Sequence, residues 1–400
     1  WLHFFNLPSS LGHNGNCYVS IFQYLSLITS NNGYGGYTFG DSMDLISTGS
    51  YAYRLTNPDL TWETQEQLNF GIDARFLNNR LGFEFDWYNK NPRDWLVTAP
   101  VLPSFGGNAV SVNGGNVKNT GIEVGLHWND NIGKDFQYGA NLTLAHNKNE
   151  VTKIANKDGI IHGSGSVLWE GAEECFRAEV GKPIGYFYGY KVEGVYQTQE
   201  EIEHSPKNTL ATVTPGDLKF RDVNGDGEIT TADRTMIGNP TPDVTYGFTL
   251  GLGYKNWELA VDMMGQGGNQ IYRTWDNYNW SQFNFMEQRM DRWHGEGTSN
   301  TQPLLNTKHT INNLNSEYYI EDGSFFRIRN VSLAYNFDKA LISKIGMQAL
   351  KLYVNIQNLK TWKHNTGYTP ELGGSAIAFG VDDGSYPMPA IYTFGFNLTF

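Results

Sequence analysis

Leu68 to Tyr88 reads as one hairpin with two unlike faces, and it restricts the possible folds more than any other stretch. Leu68, Phe70, Ile72, Ala74 and Phe76 take every second position, with Gln67, Asn69, Gly71, Asp73 and Arg75 between them. After Leu77-Asn78-Asn79-Arg80 the alternation resumes as Leu81, Phe83, Phe85 and Trp87 against Gly82, Glu84, Asp86 and Tyr88. A period of two puts each set on one face of a strand. A two-residue turn at Asn78-Asn79 sets Phe76 opposite Leu81, and Asn tolerates the positive φ that such turns need. About nine residues at ~3.3 Å rise span roughly 30 Å, or ~20–25 Å when tilted, close to the apolar band of a membrane barrel. The polar face carries charges of both signs, which a dry core would not accept unpaired. One face suits lipid and the other water. The competing reading is a surface hairpin of a soluble β-sandwich, and a single hairpin does not separate the two.

Recurrence does. A second hairpin presents Ile122, Val124, Leu126 and Trp128, turns through Asp130-Asn131-Ile132-Gly133, and returns as Phe136, Tyr138, Ala140, Leu142 and Leu144. A third presents Tyr246, Phe248, Leu250, Leu252 and Tyr254, turns at Lys255-Asn256, and returns as Trp257, Leu259, Val261 and Met263. Val331, Leu333, Tyr335 and Phe337 then connect through Asp338–Met347 to Leu350, Leu352, Val354 and Ile356. Tyr392, Phe394, Phe396, Leu398 and Phe400 close the series. Long polar stretches separate the hairpins at about 91–120, 147–243, 266–322 and 360–388. Short and long connections therefore alternate, as in transmembrane barrels with tight periplasmic turns and extended outer loops. Aromatic residues at the strand ends suit interfacial girdles. The expected fold is an all-β antiparallel transmembrane β-barrel with long extracellular loops. Residues 1–66 are the least legible, with Tyr18–Leu25 a candidate strand.

Composition agrees. No apolar run approaches the ~18 residues of a membrane helix, and alternating strands average to a polar score. A net charge of −12 argues against nucleic acid, which needs basic patches. Cys17 and Cys175 are too few for a disulfide framework; one bridge or two free thiols both fit.

One stretch carries sharp chemistry. Asp222-Val-Asn224-Gly-Asp226-Gly227-Glu228-Ile229-Thr230-Thr-Ala-Asp233 follows the calcium-loop pattern. Asp222, Asn224 and Asp226 supply oxygens at positions 1, 3 and 5, Gly227 allows the sharp turn, and the Glu228 carbonyl fills position 7. Asp233 closes the shell at position 12, where an Asp is shorter than the usual Glu and favours weaker, one-oxygen binding. The expected cofactor is a structural Ca2+ that pins an outer loop. Glu170, Glu173 and Glu174 read as a solvated acidic patch. The histidines lack zinc spacing, and no nucleophile elbow or phosphate-cradling loop occurs, so enzyme chemistry is not expected. Trp275, Trp280 and Trp293 are candidates for contact with substrate or a lid, against loop-on-loop packing.

Several motifs carry a family resemblance. They are Asn57-Pro-Asp-Leu-Thr-Trp-Glu63, Gly115-Asn-Val-Lys-Asn-Thr-Gly-Ile-Glu123, and Asp222–Arg234 followed by Ile237–Phe248. Tyr319–Asn330, Asn358-Leu-Lys-Thr-Trp362 and Thr366-Gly-Tyr-Thr-Pro-Glu371 complete the set. Together they resemble SusC-type (RagA/SusC family) TonB-dependent outer-membrane transporters of Bacteroidetes, from about residue 50 onward. Thr369 stands where that family usually has Asp, and residues 1–40 match poorly. The resemblance implies a barrel of about 22 strands around a plug, of which this chain is the C-terminal part. Residues 1–50 would hold poorly defined strands and loop, and 51–400 barrel strands and loops, with plug and TonB box absent from this chain. It further implies import of glycans or oligopeptides, a SusD-like lipoprotein as lid, and energy from TonB–ExbB–ExbD through the absent N-terminal region. Phe400 would be read by the barrel assembly machinery, and outer-membrane lipid would surround the wall. The alternatives from other classes are a secreted soluble β-rich glycan-binding module with a calcium-braced loop, and a glycoside hydrolase with two cleft carboxylates.

Overall fold

Backbone pairing joins the alternating stretches into one wide antiparallel sheet. The computed structural model describes residues 1–18, 21–25, 27–30, 36–38, 46–99, 110–163, 165, 168, 173–274, 285–305 and 310–400. Strands β1 (Leu2–Asn6) and β2 (Ser9–Asn16) both pair with β3 (Glu63–Phe76). The break between them falls at Pro8, which has no N–H to give a ladder. β4 (Leu81–Arg93) pairs with β3, and β4 and β5 (Trp95–Ala99) both pair with β6 (Val110–Ile132). β7 (Phe136–Ile154), β8 (Val244–Tyr254), β9 (Trp257–Gly267), β10 (Phe325–Asn336), β11 (Ala349–Lys363) and β12 (Ile391–Thr399) follow. Each pairs antiparallel with its predecessor, so spatial order follows chain order.

The register brings the apolar positions into continuous rows. Phe76, Leu81, Trp128, Ala140, Leu250 and Val261 are successive cross-strand partners, and Val331, Ile356 and Tyr392 extend that row. A parallel row runs Tyr138, Leu252, Leu259, Leu333, Val354 and Phe394. The rows stay open to the outside: Tyr392 is 60 % exposed and Phe394 77 %. A soluble sandwich would have sealed the same rows beneath a second sheet. Among the described residues no helix is long and apolar enough to cross a membrane, and strands do the crossing.

The dry core lies elsewhere. Val97, Val117, Val151 and Ile154, at the far ends of β5, β6 and β7, pack with Ile161 and Ala178 from the excursion that follows. Two further clusters, one around Phe176, Phe187 and Tyr272 and one around Tyr190, Leu218 and Phe220, are built wholly from the long connections. Those connections thus fold into a cap seated on the tall strands.

The turns mostly follow the expected residues. Asn78 and Asn79 adopt φ of 59° and 66°, with Arg80 N–H donating to Leu77 O (3.3 Å), and Phe76 pairs with Leu81. Lys255-Asn256 joins Tyr254 to its partner Trp257. The second hairpin turns later than its sequence suggests: pairing continues to Ile132–Phe136, and Gly133 takes the positive φ (67°). Residues 91–120 are not all loop, because β5 and the upper half of β6 pair there. Above the lipid a strand needs ladder partners and not a greasy row, so its Gly- and Asn-rich sequence hides it. Within the expected strand Tyr18–Leu25, the described Ile21–Leu25 form a turn and a bend instead, and β2 ends earlier, at Asn16.

Twice on the inner face, a tyrosine ring lies across a glycine on the next strand: Tyr88 over Gly121 and Tyr353 over Gly395. A Cβ on either glycine would overlap the ring. Overpacking of this kind costs ~1–3 kcal/mol. Gly395→Val is expected to lower the unfolding temperature of the complete barrel in detergent. Tyr353→Ala added to it should restore part of the loss, measured by heat-modified gel mobility.

Candidate functional site: the inner wall and its cap

Positions between the outward rows form the inner wall, and their side chains bond to one another along and across strands. Gln65 donates to Gln67 (3.3 Å), Gln67 to Asn69 (2.9 Å) and Asn69 to Ser10 (3.2 Å), an amide ladder up β3. Acids and bases are interspersed: Arg80 meets Asp130 at 3.0 Å, Arg93 meets Glu66 at 2.5 Å, and Lys351 meets Glu258. Asp73 pairs in register with Glu84, and Asp86 with Glu123. Small residues floor the wall between them, as where Gly139 faces Gly251 and Thr143 faces Gly247. The result is a wettable surface with donors and acceptors at every level, suited to exchanging hydrogen bonds with a polar solute.

Above it, buried ion pairs clip the cap together. Arg327 holds Glu371 and donates from Nε to Thr361 Oγ1 (2.7 Å), joining three of the motifs that carry the family resemblance. Arg273 meets Glu321 at 2.7 Å, and Glu321 also accepts from Thr366 N–H and Oγ1 (2.8 and 2.7 Å). Thr369 fills the place of the family's usual Asp by accepting the Glu371 N–H on Oγ1 (3.2 Å), which keeps the turn. Asn312 donates to Asp217 (2.9 Å) and accepts from Leu218 N–H (2.8 Å), both side chains buried. None of these pairings was foreseen; the signal available was an Arg inside an otherwise aromatic strand start, Phe325-Phe326-Arg327.

The acidic patch at Glu173 and Glu174 is not simply solvated. Glu174 forks Arg177 (2.8 and 3.1 Å) and meets His162 at 2.8 Å, while Glu173 lies 3.5 Å from Arg234. The two guanidiniums flank the Tyr188 ring at 3.5 and 4.6 Å. Glu170 lies outside the described residues. Cys17 and Cys175 are both free thiols. Cys175 sits in the cap core, where burial pushes its thiol up. Burial likewise pushes Tyr190, stacked on Phe220 at 4.9 Å, up to about 12.

In the loop 222–233, Gly225 and Gly227 adopt positive φ (75° and 85°). Asp222 accepts the Gly225 N–H at 2.6 Å and the Gly227 N–H at 2.8 Å. The Gly227 bond, ahead of the Gly225 one, holds the Asp222 carboxyl below the usual carboxylate range. Asp226 accepts the Glu228 N–H (2.9 Å), and Asn224 the Asp226 N–H (3.0 Å). Asp233 is fully buried and accepts from Val223 N–H (2.9 Å) and Thr230 N–H (2.8 Å). Ile229, also buried, roots the loop in the cap core. These oxygens are the hard donors that a calcium ion takes, and the backbone has the required turns. The carboxylates answer to backbone N–H groups, however: among the described residues no three His, Cys, Asp or Glu converge on one point. Glu228 offers only its carbonyl to such a site, because its side chain is exposed.

Trp293 is half-buried between loops, its indole N–H donating to Gln197 Oε1 (3.2 Å) and its ring lying against Gly216. Trp275 and Trp280 lie outside the described residues.

The family profile described as "TonB dependent receptor-like, beta-barrel" matches residues 18–359. The chain belongs to the TonB-dependent receptor β-barrel family. TonB-dependent receptor P3 of Formosa agariphila is 31 % identical over 98 % of this chain, which covers 39 % of that relative. TonB-dependent receptor SusC of Bacteroides thetaiotaomicron is 25 % identical over 95 % of the chain, covering 36 % of its length. The chain thus spans well under half of the curated relatives it matches. The solved RagAB peptide transporter superposes on the whole chain with a TM-score of 0.80 at 24 % identity, over 41 % of its own chain. Membership of the TonB-dependent receptor β-barrel family and an open apolar face together give an outer-membrane location, and the soluble module is set aside.

The Arg327 clip is testable in this receptor family. Arg327→Ala should leave the partly exposed Glu371 without its cation, a loss smaller than the ~3–5 kcal/mol of a fully buried pair because water reaches the carboxylate. Limited proteolysis is expected to cut within 364–390 much faster than in the parent. Arg327→Lys should not restore resistance, since an ammonium cannot fork across Glu371 and Thr361.

Proposed function

We propose that this chain forms the C-terminal part of the wall and cap of an outer-membrane importer for glycans or oligopeptides. The observation that carries the proposal is the two-faced wall: an open apolar exterior backed by an inner surface of interleaved donors, acceptors and paired charges. A hydrated solute moving past such a wall trades one hydrogen bond for another at each level, without a dry barrier. Transport, with no reaction on the solute, is the activity proposed. A SusD-like lipoprotein would close the cap from outside. TonB–ExbB–ExbD would energise opening through the region N-terminal to this chain. The exposed terminal Phe400, following the aromatic row of β12, would serve recognition by the barrel assembly machinery. The test is complementation of a receptor-deletion strain, scored as growth on defined oligosaccharides against oligopeptides as sole nutrient. Restored growth on one class names the substrate; restoration on neither, with the barrel assembled, overturns the proposal.

Asp222, Asn224, Asp226, the Glu228 carbonyl and Asp233 would hold the proposed calcium ion. The ion would supply a charge centre that stiffens the loop against the cap core. Chelation with EGTA is expected to lower the cap's melting temperature and speed proteolysis near 222–233, and added calcium to reverse both. In Asp222→Asn/Asp226→Asn, chelator and calcium should make no difference. An equal response in parent and variant would remove the ion.

Trp275, Trp280 and the open part of Trp293 are proposed contacts for substrate or lid. Trp275→Ala/Trp280→Ala should reduce uptake or lid docking several-fold with melting unchanged. Trp293→Ala should also loosen the cap, because its indole bridges two loops. Full uptake and docking in the double variant would refute the contact role.

A further inference from the structure

The outward face is not uniform. Near the short-turn end it holds a groove of about 690 Å³, within the ~300–1,000 Å³ range of sites that enclose small ligands. One ridge is aromatic: Trp257 packs on Tyr335 (4.8 Å between ring centroids), which packs edge-on to Phe337 (5.0 Å). The opposite ridge is Phe394 and Phe396 on β12. Between them Leu333, Leu352 and Val354 make a lower aliphatic floor. The register explains the shape, since Trp257, Tyr335, Leu352 and Phe396 share one row, with smaller aliphatics between the rings. Tyr335 and Phe337 are spaced along the chain direction of β10, with Trp257 beside Tyr335 on β9, and Phe394 and Phe396 are spaced along β12. The trough between them therefore follows β11, tilted by about 35–45° from the acyl chains as barrel strands are.

The connection beneath the groove has its own unexplained surface. Leu341 and Ile345 are 62 % and 67 % exposed on the short helical turns Lys339–Ile342 and Ser343–Ile345, while Ile342 between them is buried. Two aliphatic side chains held out in water beside an apolar belt are costly, and continuing the belt over them removes the cost. Lys339 and Lys344 lie on the same turns, where a headgroup phosphate would sit. The groove is continuous with the lipid-facing interface, and short turns mark the periplasmic side.

We propose that this groove is a discrete binding site for one glycerophospholipid of the inner leaflet. Its acyl chain lies on Leu333, Leu352 and Val354, and its phosphate is drawn to the Lys339–Ile345 turn. This goes beyond the import reading, depending only on the outer-membrane location.

The test uses the complete receptor purified in mild detergent. Native mass spectrometry should find one phospholipid retained per barrel, and Leu352→Trp/Val354→Phe, which fills the trough, should lose it. Lys339→Gln/Lys344→Gln should shift retention away from anionic phosphatidylglycerol. A second measurement covers a filled variant that fails to assemble. Quenching of Trp257 by a phospholipid brominated in its acyl chain, taken as the difference between parent and Trp257→Phe in nanodiscs, should saturate at low mole fraction. Quenching that rises in proportion to bulk lipid, or equal phospholipid retention in parent and filled variant, would show ordinary surrounding lipid and overturn the proposal.

Discussion

Everything in this molecule depends on a strand having two faces at a period of two. In lipid no water is present to satisfy backbone N–H and C=O groups, so a spanning strand must give both to its neighbours. Once paired, its side chains have only two places to go. Cross-strand register then does what no single strand can: it aligns Phe76, Leu81, Trp128, Ala140, Leu250 and Val261 into one band. A slip of one residue anywhere would turn an entire row inward. Residues with positive φ at Asn78, Asn79, Gly133 and Lys255 set that register at the three tight hairpins, and Gly346 takes a positive φ in the longer connection between β10 and β11.

A wall of this kind has no dry interior, and the chain builds its core where water would otherwise enter, in the cap. There Phe176, Phe187, Tyr272, Tyr190 and Phe220 pack as in a soluble domain. Segments far apart in sequence are joined by buried charge: Arg273 to Glu321, and Arg327 to Glu371 and Thr361. Replacing either partner strands the other, so such pairs select one arrangement of loops over many of similar packing. The cap inherits rigidity from the tall strands through Val97, Val117, Val151 and Ile154. Inner wall and outer face therefore serve different solvents, and the outer one carries a trough as well as a belt.

Legibility followed locality. The hairpins at 68–88, 246–263 and 331–356 were readable because their alternation and turn residues lie within a few positions of one another. The upper half of β6 was not, since Gly114-Gly115-Asn116 resembles a loop until β5 and β7 are seen beside it. The loop 222–233 was recognisable by spacing, yet its carboxylates turned out to be engaged with backbone N–H groups. Glu174 looked like a free acid, although Arg177 stands only three residues on; what the sequence hid is the strand pairing that sets His162 beside Arg177 and completes the cluster.

By itself the sequence determined the membrane-level parts of the hairpin strands, their faces and hence the choice of lipid on one side and water on the other. These are consequences of side-chain order and of the backbone's need for partners. Only the tertiary structure decided how the loops interlock, which charges are paired, that Trp293 braces two loops, and where the outer face is hollow. Those outcomes rest on contacts between residues tens to more than a hundred positions apart, and alternation along one strand holds no information about them.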